Sequence, residues 1–287
     1  MKLRAGVLLA LAACVPSHFA PPALSALPFR LDSTRVQVVA DGVAHRYLYT
    51  AQGPWAIHVL YVDLNKCLSA LAVKGADSAA GRTKTSALLQ SVATHASVLG
   101  GVNADFFSLA NGVPVNLLVV NGHMLTPPAK PPVLAFDSAG VPHIETFALR
   151  DGRLAPFHPL NAVGGRPRLV RDSVIVGEVD TEGQASFNVG RNPRTAAGLA
   201  RGGRRLILVV VDGRQMPYSD GMSLREMAGL MLALGARDAI NLDGGGSTTL
   251  VYADPDSAGR LRIANRPSDK EGERAVGDAL AIVDRCA

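Results

Sequence analysis

The segment Asp238 to Tyr252, DAINLDGGGSTTLVY, limits what this chain can build more than any other. An apolar run stops at Asp243, three glycines follow, and Ser247 and Thr248 lead into a second β-prone run. Consecutive glycines remove every Cβ from a bend, so the backbone can reach positive φ and its N–H groups can approach a ligand closely. Beside a single carboxylate at a strand end, such donors suit an anion. A P-loop would need Lys ahead of Ser or Thr, and Gly244 to Thr248 contains none. A dinucleotide fingerprint would open a helix, whereas Thr248 to Tyr252 has strand composition. The plain alternative is a tight hairpin without chemistry.

At 287 residues and 48% hydrophobic, the chain can bury a sizeable core. Lys2 and Arg4 precede the short apolar stretch Ala5 to Ala13, which fits an export signal and is too short to span a bilayer. Residues 1–26 are therefore set aside as a leader, and residues 27–287 are expected to form one domain. Leu11-Ala12-Ala13-Cys14 resembles a lipoprotein box with Cys14 as a lipid anchor, while Ala23-Leu24-Ser25 offers an ordinary cleavage site. Either route exports the protein, to the cell envelope, the periplasm or the medium. Without Lys2 and Arg4 the formal charge falls from +5 to +3, too little to argue for nucleic acid, and no basic stripe interleaves with aromatics. Cys67 and Cys286 are left to pair in an oxidising compartment or to stay as two buried thiols.

The first half reads as short strands broken by turns, among them Trp55 to Asp63, Leu68 to Lys74, Val102 to Phe107 and Val133 to Phe136. Thr85 to Ser97 reads as a helix, with Ser86 as a possible cap. The second half runs strand (Leu206 to Val211), helix (Ser223 to Leu234), strand (Ala239 to Leu242), glycine loop and strand (Thr248 to Tyr252). Ser223 and Glu226 form a capping-box pattern, and Gly235 supplies the stop. The expected class is α+β: a single mixed domain, β-rich, with a few helices packed on the sheet.

Three apolar runs end in aspartate, at Asp105, Asp212 and Asp243. If those strands ran parallel in one sheet, the three carboxylates would converge beyond their ends. For each alone a turn or cap role is the better reading, although Asp105 sits in a buried run where an ionised group needs a partner or a function. Arg194 leads a strand of small residues and would present a rigid fork to phosphate or carboxylate, or pair with a core aspartate; Arg191 is expected to be solvated. The histidines show no zinc spacing, and Ser247 sits in no nucleophile elbow.

Taken in order, Gly101 to Phe107, Arg194-Thr195-Ala196, Val211 to Arg214, Gly221 to Leu224, Asn241 to Thr248, Asn265 to Ser268 and Gly272-Glu273-Arg274 resemble the phosphodiester glycosidase family. One lysosomal member of that family removes N-acetylglucosamine from a phosphodiester on mannose. The resemblance implies hydrolysis of a sugar 1-phosphodiester, the partner being a phosphodiester-linked glycan or amino sugar. A phosphate monoester is already a weak base, so one of the usual two carboxylates is dispensable. What remains is a clamp for the phosphate, assigned to Arg194 with the N–H groups of Gly244, Gly245 and Gly246 and aided by Ser247 or Thr248. Asp243 and Asp105 are the carboxylates, Asn103 orients a sugar hydroxyl, and Asp212 is placed among the binding residues. No cofactor is expected, since no metal-ligand motif appears, although Asp105, Asp212 and Asp243 could offer oxygens to a divalent cation. A noncatalytic envelope-glycan binder and attack at phosphorus are the competing readings.

Overall fold

Near-continuous apolar runs need burial on both faces. Trp55–Asp63 and Arg205–Val211 obtain it side by side within an eight-stranded sheet of the computed structural model. The structure describes Pro21, Leu24 and residues 27–75, 78–181, 185–200 and 202–286. Cys14 and most of the expected leader lie outside these residues. The sheet order is Ser33–Ala40, Val43–Thr50, Trp55–Asp63, Arg205–Val211, Arg194–Ala200, Ala236–Asn241, Arg168–Arg171 and Val174–Ile175, with every neighbouring pair antiparallel.

Alternation along one strand shows how the layers form. Leu206, Leu208 and Val210 enter a core shared with a second sheet, whereas Ile207, Val209 and Val211 enter a core under the helix Leu224–Ala233. The second sheet is ordered Arg260–Ile263, Leu250–Asp254, Ser97–Asn103, Ala279–Asp284 and Leu68–Val73. Its far face packs on the helix Thr85–Val92 through Leu88, Leu89 and Val92. The result is a helix–sheet–sheet–helix stack, with a smaller third sheet from 118 to 164 joining the central core. The β-rich mixed class expected from the sequence is therefore the class observed.

The capping box is present: Ser223 Oγ accepts from Glu226 N–H at 3.2 Å, and Glu226 Oε2 accepts from Ser223 N–H at 2.8 Å. The first helix is shorter than the periodicity predicts, ending at Val92, and Lys84 rather than Ser86 is its cap residue. Ser86 instead donates its N–H and Oγ–H to Glu273, which supplies the helix N-terminus with its anion.

Cys67 and Cys286 form a disulfide across 219 residues, with their Cα atoms 5.9 Å apart, at the end of the Leu68–Val73 and Ala279–Asp284 pair. Closing so long a loop restricts the unfolded chain. Replacing both cysteines by serine is expected to lower unfolding free energy by about 2–4 kcal/mol. Urea denaturation checks this, and an unchanged midpoint would contradict it.

Candidate active site

Strand direction assembles the site, although not as parallel strands of one sheet. Ser97–Asn103 belongs to the second sheet, while Arg205–Val211 and Ala236–Asn241 both run antiparallel to Arg194–Ala200 lodged between them. Those two strands thus share a direction, and their ends meet the start of the middle strand, where Arg194 pairs with Val211 and Ala196 with Asn241. The second sheet joins this edge through Asp243 N–H, which donates to Ala104 O at 2.9 Å.

A cleft of about 420 Å³ opens there, lined by Phe187, Asn192, Arg194, Arg214, Asp243, Gly244, Gly245 and Arg274. Asp243 is its carboxylate. Burial pushes this group up to about 6, opposed by Ser247, the Gly244 N–H and Arg274. Ser247 Oγ lies beside it without a hydrogen bond of good geometry, and Gly244 N–H donates to Asp243 Oδ1 at 3.0 Å.

Arg194 reaches the cleft but is largely committed to the fold. It is 1% exposed, its Nε donates to Met222 O at 2.8 Å, and its Nη2 donates to Phe187 O and Gly190 O at 2.5 and 2.9 Å. Its guanidinium also lies 4.8 Å from the Phe187 ring centre. Carbonyl groups hold this cation, in place of the core aspartate weighed from the sequence, and burial pushes it down to about 10. Arg191, expected in solvent, is instead fixed by Glu226, Asp220 and Gly53 O, with Trp55 under its guanidinium.

The three glycine N–H groups do not form a joint anion cradle. Gly244 N–H serves Asp243, and Gly245 N–H donates to Pro193 O at 2.9 Å; Gly246 N–H has no partner among the described residues, but Gly246 is buried and does not line the cleft. The glycines instead make room. Gly245 adopts φ +61°, and a Cβ there would lie 3.3 Å from Arg214 Nη1; at Gly246 one would overlap the Asp269 and Arg274 side chains. Ser247 and Thr248 are buried behind the loop and do not line the cleft.

The structure moves three further residues out of direct reach. Asp105 is 1% exposed, and its carboxylate accepts from Phe106 N–H and Asn116 N–H, both at 2.8 Å. Asn103 holds Asp243 O at 2.7 Å through its Nδ2, and its Oδ1 accepts from Thr195 Oγ1 and Thr249 N–H, so its oxygen has no capacity left for a sugar. Asp212 is fully buried and accepts from Asn265, the Arg266 N–H and Tyr218 Oη, with His58 Nε2 3.9 Å away. Among the described residues, Asp105, Asp212 and Asp243 do not converge as a metal-ligand cluster; the cluster of ligand-type side chains that does form, Cys67, Asp284 and Cys286, has a single carboxylate and contains the disulfide.

Sequence reasoning missed Arg214, Arg274, Asn192 and Asp278. Arg214 and Arg274 stood inside the motifs that carry the family resemblance, next to glycine-containing turns, and that was the available signal. Arg214 adopts a left-handed φ of +58° and donates through Nε and Nη2 to Asn192 Oδ1 at 3.1 and 2.7 Å. A non-glycine residue held in that region is strained, and such strain clusters at ligand clamps. Arg274 forms a two-pronged pair with Asp269 at 2.8 and 3.0 Å.

Asp278 lies behind Asp243, its Oδ1 accepting the Asp105 N–H at 2.9 Å and its buried Oδ2 without a partner. Burial raises its pKa to about 7; Lys74 opposes this and Asp243 adds to it. Because the folded value exceeds the unfolded one near 3.9, the folded chain holds a proton that the unfolded chain releases, and stability falls as pH rises from about 4 to 7. Asp278→Asn is expected to raise Tm at pH 8 by at least about 3 °C, with the gap closing at pH 4. Equal melting curves at pH 8 would contradict this.

A family model described as phosphodiester glycosidase matches residues 96–283. No curated protein matches the chain significantly. The solved structures similar to it include the following three. A hypothetical protein from Synechocystis has a TM-score of 0.71 at 15% identity, over 88% of this chain and 64% of that one. The catalytic domain of zebrafish N-acetylglucosamine-1-phosphodiester alpha-N-acetylglucosaminidase, auto-inhibited by its pro-peptide, has 0.61 at 19%, over 92% and 85%. A Burkholderia pseudomallei protein described as exported has 0.66 at 18%, over 90% and 98%. At these identities the likeness is one of fold, and the chain spans less than two thirds of the Synechocystis protein's length.

Proposed function

The chain belongs to the phosphodiester glycosidase family, and from that premise we propose that its cleft hydrolyses a sugar 1-phosphodiester at the glycosidic C–O bond. The observation that carries this reading is one carboxylate, Asp243, sharing with three arginines the lining of a cleft large enough for a sugar phosphate. Arg214, Arg274 and the remaining Nη1 of Arg194 grip the phosphate. The Phe187 ring offers an apolar wall for the sugar's C–H face. Asp243 stabilises positive charge developing at the anomeric carbon and directs water there. Water oxygen bonds to that carbon, the bond to the phosphate oxygen breaks, and the phosphomonoester departs with the electron pair. The proton lost by water passes through Asp243.

Asn103 acts as a brace in this scheme, fixing the Asp243 main chain between the two sheets. Asp105 and Asp278 shape the floor beneath it. The disulfide supports export, since such bonds persist in oxidising compartments. Among the described residues no helix is long and apolar enough to cross a membrane. The natural substrate on this reading is a phosphodiester-linked envelope glycan or amino sugar.

The test is release of free sugar from an N-acetylglucosamine 1-phosphodiester. Turnover by the wild-type chain supports the glycosidase. Binding of the same compound without turnover would instead identify a glycan-binding protein that keeps the fold.

A further inference from the structure

The charges around the cleft carry the phosphodiester reading one step further. Arg194 is held by carbonyl oxygens and Arg214 by an amide oxygen, so neither guanidinium has a carboxylate partner in these contacts. Arg274 is offset by Asp269, and Asp243 is the carboxylate in the lining. The unoccupied balance is therefore positive. A phosphodiester brings a single negative charge, whereas a phosphomonoester brings about 1.5 to 2.

We propose that the cleft retains its phosphomonoester product, and takes up free inorganic phosphate, as a ligand competing with substrate, and that each bound anion draws a proton onto Asp243. A second anion beside the Asp243 carboxylate repels it, and protonation turns that acceptor into an O–H donor for the phosphate. The groups facing Asp243 fit this exchange. Arg194 approaches from the sheet, Arg214 from the turn after Val211, and the Arg274–Asp269 pair from the C-terminal loop. Ser247 and Gly244 flank it, and Asp278 behind it adds negative charge. Burial already makes Asp243 hold its proton more tightly than an ordinary aspartate. Rising pH then expels the product, and inhibition by phosphate is strongest in mild acid.

Calorimetric titration of the full chain at pH 7, in two buffers of different ionisation enthalpy, tests this. Sulfate, which does not titrate in that range, reports the protein's own proton, and inorganic phosphate reports the physiological anion. Both anions are expected to bind, with buffer-dependent heats that reveal proton uptake of up to one per sulfate. Asp243→Asn should bind sulfate at least as tightly with no uptake, and Arg214→Ala should weaken binding by about tenfold or more. Absence of binding, uptake that persists in Asp243→Asn, or unchanged affinity in Arg214→Ala would each overturn the proposal. Because the titration needs no turnover, anion binding without sugar release would sink the glycosidase reading alone, and sugar release without anion binding would sink this one alone.

Discussion

Asp243→Asn is expected to lower kcat on a sugar 1-phosphodiester by about 10²–10⁴-fold, the range associated with loss of a positioned acid or base. Among the described residues no other carboxylate lines the cleft, so none of them is placed to substitute for it. Asp105 is engaged by the Phe106 and Asn116 N–H groups, and Asp212 by Tyr218, Asn265 and Arg266. The fold should tolerate the change, because Asn keeps the oxygen that accepts the Gly244 N–H. The sign of the pH dependence follows from the same group. Asp243 must be ionised to stabilise positive charge on the sugar, and its value is pushed up to about 6, so kcat should rise with pH through that point. Rates across pH 4–8 check both claims. Near wild-type turnover in Asp243→Asn would remove this residue from the chemistry.

The second large effect separates two arginines that the sequence presents as similar. Arg194→Ala leaves the carbonyls of Met222, Phe187 and Gly190 without their donor and removes a side chain that is only 1% exposed. A buried acceptor left unsatisfied costs about 1–3 kcal/mol, so losing the donor to three carbonyls removes a large share of a typical stability of about 5–15 kcal/mol. Extensive loss of folded protein is expected, with Tm lower by about 6–20 °C. Arg214→Ala removes an exposed side chain whose hydrogen bonds among the described residues go to Asn192, so Tm should move little. Its loss should appear in substrate binding, with KM raised about 10–100-fold, the size of a charge-assisted hydrogen bond. Differential scanning fluorimetry and steady-state kinetics on the two variants decide the matter. The reverse pattern, a stable Arg194→Ala with high KM and an unfolded Arg214→Ala, would return the clamp to Arg194.

The contrast shows what the sequence could and could not disclose. The Ser223–Glu226 capping box, the helix after it, the strands Trp55–Asp63 and Val133–Phe136 and the loop that exposes Asp243 were legible, because each depends on neighbours within a few residues. Which way Asp105 and Asp212 point was not. In fully apolar strands the two faces carry the same residue types, so parity is invisible until sheets are paired. Arg194 and Arg214 differ for a related reason. The carbonyls that hold Arg194 come from Phe187, Gly190 and Met222, and the oxygen that holds Arg214 comes from Asn192, an arrangement that exists only once the middle strand is inserted. Asp278 carried no local signal at all, since its unpartnered oxygen arises from packing of the last strand against Ser97–Asn103.

Hydrolysis in water enriched with heavy oxygen, using an N-acetylglucosamine 1-phosphodiester and mass analysis of both products, bears most directly on the roles given to Asp243 and the arginines. Label in the released sugar, with none in the phosphomonoester, is the predicted result. Label in the phosphate would mean attack at phosphorus and would contradict a cleft built to stabilise charge on the sugar.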